Sequence, residues 1–284
     1  MPHARGILLG VLWKLGELDL QLKVREVKVH RALSPSGIYG VDFSLNPYVG
    51  CQHACVYCYV PFTYPSILRG RKWGAFVDVK VNVPRLVRRE VKALRDASIL
   101  VSSITDPYQP LEARYGLTRA CLEAMQGSGV HVVLLTKSSL FRRDLDLLQG
   151  LKSCEVGITV TTLNLSKIVE PFSSPPHERF KAIKEASEVG LETFLFLGPL
   201  LPAVVEQELK EILDSAVEHG CGRVVVDKFR LRPRMKEKLS EVLSVLDDQD
   251  TFLSKVGQVG YFEGLKKEIS MLCSERGLEV VFCY

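Results

Sequence analysis

The chain has 284 residues, 46% of them hydrophobic and 25% charged, with a formal net charge of +4. That length accommodates one large α/β domain or two small ones, and the apolar fraction builds a core without covalent staples. Eight cysteines scattered over this length exclude a small disulfide scaffold, and the mild positive charge permits a polyanionic partner without demanding one.

The first 38 residues read as an N-terminal extension. The stretch 6–13 is apolar but short, Lys14, Glu17 and Asp19 follow at once, and no small-residue cleavage site is visible. It is a poor signal peptide and too short to span a bilayer, and no later stretch is uncharged over a spanning length. A soluble protein is expected. Residues 20–29 alternate charged and apolar side chains, as an edge strand would, and Ser34, Pro35, Ser36 and Gly37 form a loop.

From residue 39 onward, strand and helix patterns alternate. Strand 41–45 is followed by helix 84–96, with Leu86, Val87, Val91 and Leu94 on one face. Strand 98–104 precedes helix 118–127, for which Thr118 is a candidate N-cap and Gly127 the stop. Strand 131–136, helix 141–149, strand 155–161 and helix 176–189, ending at Gly190, come next. Strand 191–197, helix 204–219 and strand 223–227 complete six strand–helix units in series. Apolar strands such as 132–135 and 224–226 suit a parallel sheet covered on both faces. Serial units with right-handed crossovers close into a barrel or partial barrel, although a doubly wound open sheet has the same pattern. In such barrels the active site forms at the carboxyl ends of the strands. Helices over 236–245 and 262–276 and a strand-like 278–283 read as a tail that caps the barrel.

The loop after strand 41–45 carries Cys51, Cys55 and Cys58, a Cys-x3-Cys-x2-Cys spacing with no further cysteine before Cys121. Three thiolates can hold three irons of a cubane iron–sulfur cluster and leave the fourth open to a non-protein ligand. Zinc or buried free thiols are the competing readings. Zinc usually takes four ligands, and His53, between Cys51 and Cys55, would complete a Cys3His set only by straining the loop. The other five cysteines read as small buried residues. Cluster thiolates require a reducing compartment, so the cytoplasm is the expected location.

The run Asn46-Pro-Tyr-Val-Gly-Cys51-Gln-His-Ala-Cys55-Val-Tyr-Cys58-Tyr59 resembles the cluster loop of the radical S-adenosylmethionine (radical SAM) enzymes. Its flanking residues resemble the spore photoproduct lyase-like, or "DNA repair photolyase", branch. The resemblance implies a partial (β/α)6 TIM-like barrel over 39–230, between the extension 1–38 and a C-terminal helical cap over 231–284. It also implies a 4Fe-4S cluster on the three cysteines, with S-adenosylmethionine as cofactor. The open iron chelates the amino and carboxylate groups of that cofactor. An electron from a donor such as flavodoxin or ferredoxin then breaks the sulfonium bond, giving a 5′-deoxyadenosyl radical that abstracts hydrogen from a substrate.

Polar residues gather at the expected strand ends. Ser102, Ser103, Thr105, Asp106, Pro107, Tyr108 and Gln109 follow the second strand. Asp106 could receive the cofactor ammonium; alone, the Asp-Pro pair reads as a turn. A similar serine/threonine–aspartate–proline–tyrosine run in the resembled branch places Ser103 and Asp106 at the cofactor. The same resemblance places a cofactor-contacting lysine at Lys137. It matches Thr159 to a cofactor-binding serine, although threonines also simply favour strands. Arg179 falls in the first turn of a helix, against the dipole, and so should answer to a carboxylate such as Glu170. Gly198 lets the backbone approach a flat ligand such as adenine.

Tyr57 and Tyr59 flank Cys58 as tyrosines do in the lyase, and either relay a radical or shield the cluster. The lyase's catalytic cysteine lies just upstream of the residue matching Asp106, and residues 99–105 contain none, which argues against the same hydrogen-return step. Two basic runs remain: Arg69, Arg71 and Lys72 before Trp73, and Lys228, Arg230, Arg232, Arg234, Lys236 and Lys238 around Phe229. They suit phosphate contact with base stacking, or are solvated faces. The functions in contention are a radical SAM enzyme acting on nucleic acid, in lesion repair or RNA modification, the same chemistry on a peptide or small metabolite, and a non-enzymatic metal- or nucleic-acid-binding protein.

Overall fold

A computed structural model of the chain describes residues 22–236, 239 and 249–284. The apolar stretch 6–13, the start of the strand expected over 20–29 and most of the helix expected over 236–245 lie outside these residues.

The main sheet, eight-stranded among the described residues, has the order β11-β10-β9-β8-β7-β6-β3-β2. Its strands are β2 (Leu33–Pro35), β3 (Phe43–Leu45), β6 (Arg95–Val101), β7 (Gly129–Thr136), β8 (Ser153–Val160), β9 (Glu192–Leu200), β10 (Arg223–Lys228) and β11 (Glu279–Phe282). Every pairing from β3 to β11 is parallel, and β2 lies antiparallel on β3. The expected series of six units is β3, β6, β7, β8, β9 and β10, and the sheet stays open because β2 and β11 are its two edges. Alternation along β7 shows how it is used. Val130, Val132 and Leu134 enter the main core while His131, Val133 and Leu135 on the opposite face are half-buried.

Several element expectations need correction. The helix expected over 84–96 is Val83–Glu90 followed by a 3-10 turn, Val91–Ala93, because Arg95 is already paired with Gly129 in the sheet. Helix 141–149 is a 3-10 turn, Leu140–Asp144, running into a short helix, Leu145–Gln149. Thr118 is not an N-cap: Gly116 occupies that position before helix Leu117–Met125, and the Thr118 hydroxyl donates to the Pro107 carbonyl at 2.6 Å. The tail is not only a helical cap. Helix Tyr261–Glu275 leads into β11, which extends the sheet beside β10. Helix Gln249–Gly257, by contrast, sends Phe252 onto the cysteine loop, as a cap would. No described helix is long and apolar enough to cross a membrane.

A second sheet, of three strands, was not expected. It has the order β1-β5-β4, with β1 (Lys23–Val27), β4 (Tyr48–Val49) and β5 (Phe76–Lys80). β4 and β5 pair antiparallel, Tyr48 with Val79 and Val49 with Asp78. The excursion 50–75 that carries the cysteines is therefore closed at its base, which lowers the entropy cost of holding three thiols together. Asp78 locks it further. Its carboxylate takes Arg25 of β1 at 3.0 and 3.1 Å and Arg71 of the excursion at 2.7 and 2.9 Å.

Candidate active site

The cysteine loop leaves β3 at the carboxyl end of the sheet and is clasped there by the segment that follows β6. Asn46 Oδ1 accepts the amides of Ser103 and Ile104 at 3.0 and 3.1 Å, and its Nδ2 reaches the Ser103 hydroxyl at 3.3 Å. Gln52 and Gln109 exchange support across the same gap. The Gln52 amide donates to Gln109 Oε1 at 2.9 Å, and Gln52 Oε1 accepts the Leu111 amide at 2.6 Å. The Thr105 hydroxyl donates to the Gly50 carbonyl at 2.6 Å. On the far side the Val56 amide bonds the Val169 carbonyl at 2.9 Å, joining the loop to the segment after β8. Phe229, Met235, Leu239 and Phe252 pack with Cys55, Val56 and Tyr57 and cover that flank.

Cys51 and Cys55 are buried and Cys58 is half-buried. Burial pushes the Cys51 thiol well up, and the nearby charges of Asp106, Cys55 and Cys58 add to it. Burial pushes Cys55 up to about 12 against the pull of the Lys137 ammonium, with Glu170 and Cys58 also raising it. Three sulfur donors on one loop, two buried and one half-buried and near enough to feel one another's charge, fit a cofactor that binds thiolates through separate irons. His53 sets its Nδ1 3.4 Å from Asp106 Oδ2.

Asp106 is a junction. Its Oδ1 accepts the Tyr108 amide at 2.9 Å and the Thr136 hydroxyl at 2.7 Å, and its Oδ2 accepts the Lys137 amide at 2.9 Å. Burial opposes its charge, but His53 and these hydrogen bonds outweigh it and hold the carboxyl below the usual range. Three donors of the protein thus hydrogen-bond this carboxylate, and His53 stands beside it as a charge partner when protonated.

Glu170 and Arg179, both fully buried, form the ion pair that the helix-dipole argument calls for. Arg179 also donates to the carbonyls of Ser174 and Thr159 at 2.7 and 2.8 Å and to the Ser173 hydroxyl at 2.6 Å. The Tyr57 hydroxyl donates to Glu170 and lies 3.2 Å from the Thr161 hydroxyl, which in turn donates to the Gly198 carbonyl at 2.9 Å. Lys137 holds its Nζ 6.0 Å from the centre of the Tyr57 ring. Burial opposes its charge, but Cys55, Glu170 and Asp106 raise its pKa, so the ammonium persists. Tyr59 differs from Tyr57. It is 41% exposed and donates to the Ser103 carbonyl at 2.8 Å. Burial, then the neighbouring Cys58 charge, raises it to about 12.

The fold thus brings Cys51, Cys55, Cys58, Tyr57, Asp106, Lys137, Glu170 and Arg179 to one end of the sheet, with Tyr59 and Ser103 on the adjoining loops and Thr159 and Gly198 near the carboxyl ends of β8 and β9. Asn46, Gln52 and Trp73 were given no site role of their own from the sequence, although Asn46 and Gln52 lie inside the cysteine run itself. The basic runs are less free than they look. Arg71 is committed to Asp78 and stacks 3.7 Å over the Phe76 ring, and Arg230 pairs with Asp227 at 2.8 Å.

The family model described as "Radical SAM superfamily" matches residues 45–216. An uncharacterized protein of Methanocaldococcus jannaschii is 34% identical over 194 residues, 67% of this chain and 73% of its own length. An uncharacterized protein of Mycobacterium tuberculosis is 31% identical over 67% of this chain, which spans 59% of that relative. A "radical SAM Nalpha-GlyT isomerase" of Pseudomonas phage M6 is 27% identical over 68% of this chain and 42% of its own length. Among solved structures, spore photoproduct lyase with bound AdoMet and dinucleoside spore photoproduct superposes at a TM-score of 0.68. The overlay covers 93% of this chain and 82% of the lyase at 13% identity, a likeness of fold.

Proposed function

The chain belongs to the radical SAM superfamily, and on that premise we propose that it holds a 4Fe-4S cluster on Cys51, Cys55 and Cys58 and acts on nucleic acid. The observation that carries the first half is the set of three mutually interacting sulfur donors on an excursion closed at its base. Cys51, Cys55 and Cys58 would hold the cluster, which would supply the one-electron reduction of S-adenosylmethionine on which hydrogen abstraction from a substrate depends. The protein's part is to orient the cofactor and exclude water. Lys137, a buried ammonium whose charge Cys55, Glu170 and Asp106 support, is the residue best suited to the cofactor carboxylate. Asp106, Glu170 and Arg179 keep Lys137 and the strand ends in place, and Thr159 and Gly198 line the approach to the nucleoside. Phe229, Met235 and Phe252 keep bulk water from the Cys55 side. An external one-electron donor of the flavodoxin or ferredoxin kind, and a reducing compartment such as the cytoplasm, complete the scheme.

For the substrate, support comes from the fold likeness to spore photoproduct lyase holding a dinucleoside spore photoproduct. It comes also from the cations near the mouth. With Arg71 and Arg230 committed to carboxylates, Lys72, Lys228, Arg232 and Arg234 are the ones to meet phosphates. The test is anaerobic reconstitution with iron and sulfide, followed by assay for 5′-deoxyadenosine. Full iron uptake by a Cys51→Ala, Cys55→Ala, Cys58→Ala triple variant overturns the cluster assignment. Binding to single- and double-stranded DNA and RNA is measured against salt. A log–log slope that flattens in an Arg232→Ser, Arg234→Ser variant supports the nucleic-acid reading. Absence of salt-dependent binding near physiological ionic strength overturns it and moves a peptide or small metabolite ahead.

A further inference from the structure

Trp73 sits in the apolar pocket that holds Cys51, with Val60 and Phe76 as buried neighbours and Cys58, Ile67 and Leu68 at its edge. The ring is 7% exposed and stands edge-on to Phe76, with centroids 6.3 Å apart. Its Nε1 is buried and has no hydrogen-bond acceptor among the described residues. Buried indole N–H groups usually find a partner, because leaving one bare forfeits the bond it made with water. The hydrophobic side chains packed with it include Cys51 and Cys58, and a water molecule in its place would need two or more polar partners of its own.

The placement is enforced from both sides of Cys51. Gly74, at φ +90°, presses so closely on the loop that an added Cβ would come within 2.7 Å of the Ala54 Cβ. Gly50, at φ +89°, lies against Phe76, where an added Cβ would stand 2.3 Å from the Phe76 carbonyl oxygen. The segment 73–76 therefore grips the cysteine loop just before and just after Cys51, and the indole cannot drift from the thiols without opening those contacts. A pocket so built leaves sulfur as the acceptor the N–H lacks.

We infer that Trp73 donates its indole N–H to a sulfur of the cluster held by Cys51, Cys55 and Cys58, and that this bond raises the cluster's reduction potential. The inference rests on the cluster reading above. Reduction adds negative charge to the sulfurs, so a donor aimed at them favours the reduced state. Trp73 is a positioning and tuning residue, since it neither ligates iron nor touches the reacting atoms. The other buried ring nitrogen of the loop, His53 Nδ1, is set toward Asp106 Oδ2 at 3.4 Å.

The test is Trp73→Phe, which keeps the ring and removes the N–H. Parent and variant are reconstituted anaerobically, iron and sulfide per chain are counted, and midpoints are read by potentiometric titration with electron paramagnetic resonance. The variant should load fully. Its reduced-to-oxidised ratio at a fixed potential should fall by roughly three- to tenfold, a midpoint about 30–60 mV more negative for a one-electron couple. An unmoved midpoint in a fully loaded variant overturns the inference and leaves the cluster reading intact. A parent that takes up no iron overturns both. Should the variant load poorly, the parent answers directly. Trp13 is the other of the two tryptophans, so a Trp13→Phe chain labelled with 15N at the indole reports on Trp73 alone. Hyperfine coupling of that nitrogen, and of an exchangeable proton, to the reduced cluster is expected; absence of both overturns the inference.

Discussion

Two carboxylates lie fully buried behind the cysteine loop, each bonded to a tyrosine and an arginine, and their protonation is driven in opposite directions. Burial raises both. At Glu170 the Arg179 guanidinium and the Lys137 ammonium outweigh it, and the carboxyl is held below its ordinary value of 4.5. At Glu112 the bonds from the Thr118 amide, Tyr48, the Arg119 amide and Arg143 do not, and the carboxyl is pushed above that value. The difference is one of cations. Arg179 shares its other donors only with uncharged oxygens and Lys137 is nearby, whereas Arg143 divides its donors between two carboxylates, Glu112 and Asp144, at 2.5 and 3.1 Å. The Glu170 node faces Cys55 and keeps its charge. The Glu112 node, which joins Tyr48 of the small sheet to the start of helix Leu117–Met125, works as a neutral-leaning clasp. Burial and a tyrosine–arginine pair alone do not mark a site; the sign of the residual charge beside the thiols does.

Substitution to glutamine should separate the two most strongly. Glu170→Gln strands Arg179, a fully buried guanidinium, and should cost about 3–5 kcal/mol of stability. Glu112→Gln sets one amide NH2 against existing donors but leaves Arg143 its bond to Asp144, so about 1–3 kcal/mol is expected. Urea unfolding of both variants at neutral pH checks the order, and equal costs would break the comparison. The pH dependence should differ in sign. Glu170, with its depressed value, contributes stability that is present above 4.5 and lost as pH falls through its folded value. Glu112, with its raised value, is penalised when ionised, and that penalty is relieved as pH falls from its folded value toward 4.5. Wild type minus Glu112→Gln should therefore gain stability on mild acidification above 4.5, and wild type minus Glu170→Gln should lose it below 4.5.

The two nodes were not equally legible in the sequence. Glu170 and Arg179 are nine positions apart and announce themselves, since a cation in a first helical turn needs a reason. Glu112 lies in an unremarked Leu-Glu-Ala-Arg stretch, and Arg143 is 31 residues away, with no local pattern to join them. The serial strands and the position of the cysteines were readable because parallel βα units carry their own period. The small sheet was not. β5 has aspartate at its centre, a residue that strands disfavour, and Asp78 is tolerated there because two arginines neutralise it. The early start of β6 was hidden for a similar reason: Arg95 pairs with Gly129 whatever its helical preference. Local propensity yielded wherever a partner distant in sequence supplied the decisive bond.

Tyr57 sharpens the comparison at the smallest scale. Its hydroxyl lies between Glu170 and Thr161, its ring faces Lys137, and burial followed by the Glu170 charge drives its pKa well up. A tyrosine that relays a radical must release its proton as it is oxidised, and Glu170, held ionised by Arg179 and Lys137, is a poor base for it. Tyr59, exposed at the mouth, is free of that constraint. Tyr57→Phe should then behave as the loss of a strut. Glu170 keeps Arg179, Thr161 keeps the Gly198 carbonyl, and the cost should be about 1 kcal/mol, with cluster content, cofactor cleavage and substrate turnover nearly unchanged. Tyr59→Phe should leave cofactor cleavage intact and lower substrate turnover instead. The two variants are compared by 5′-deoxyadenosine released per substrate consumed. If that ratio rises in Tyr57→Phe and stays level in Tyr59→Phe, the buried tyrosine carries the radical and the division between a charge-holding node and a working mouth is wrong.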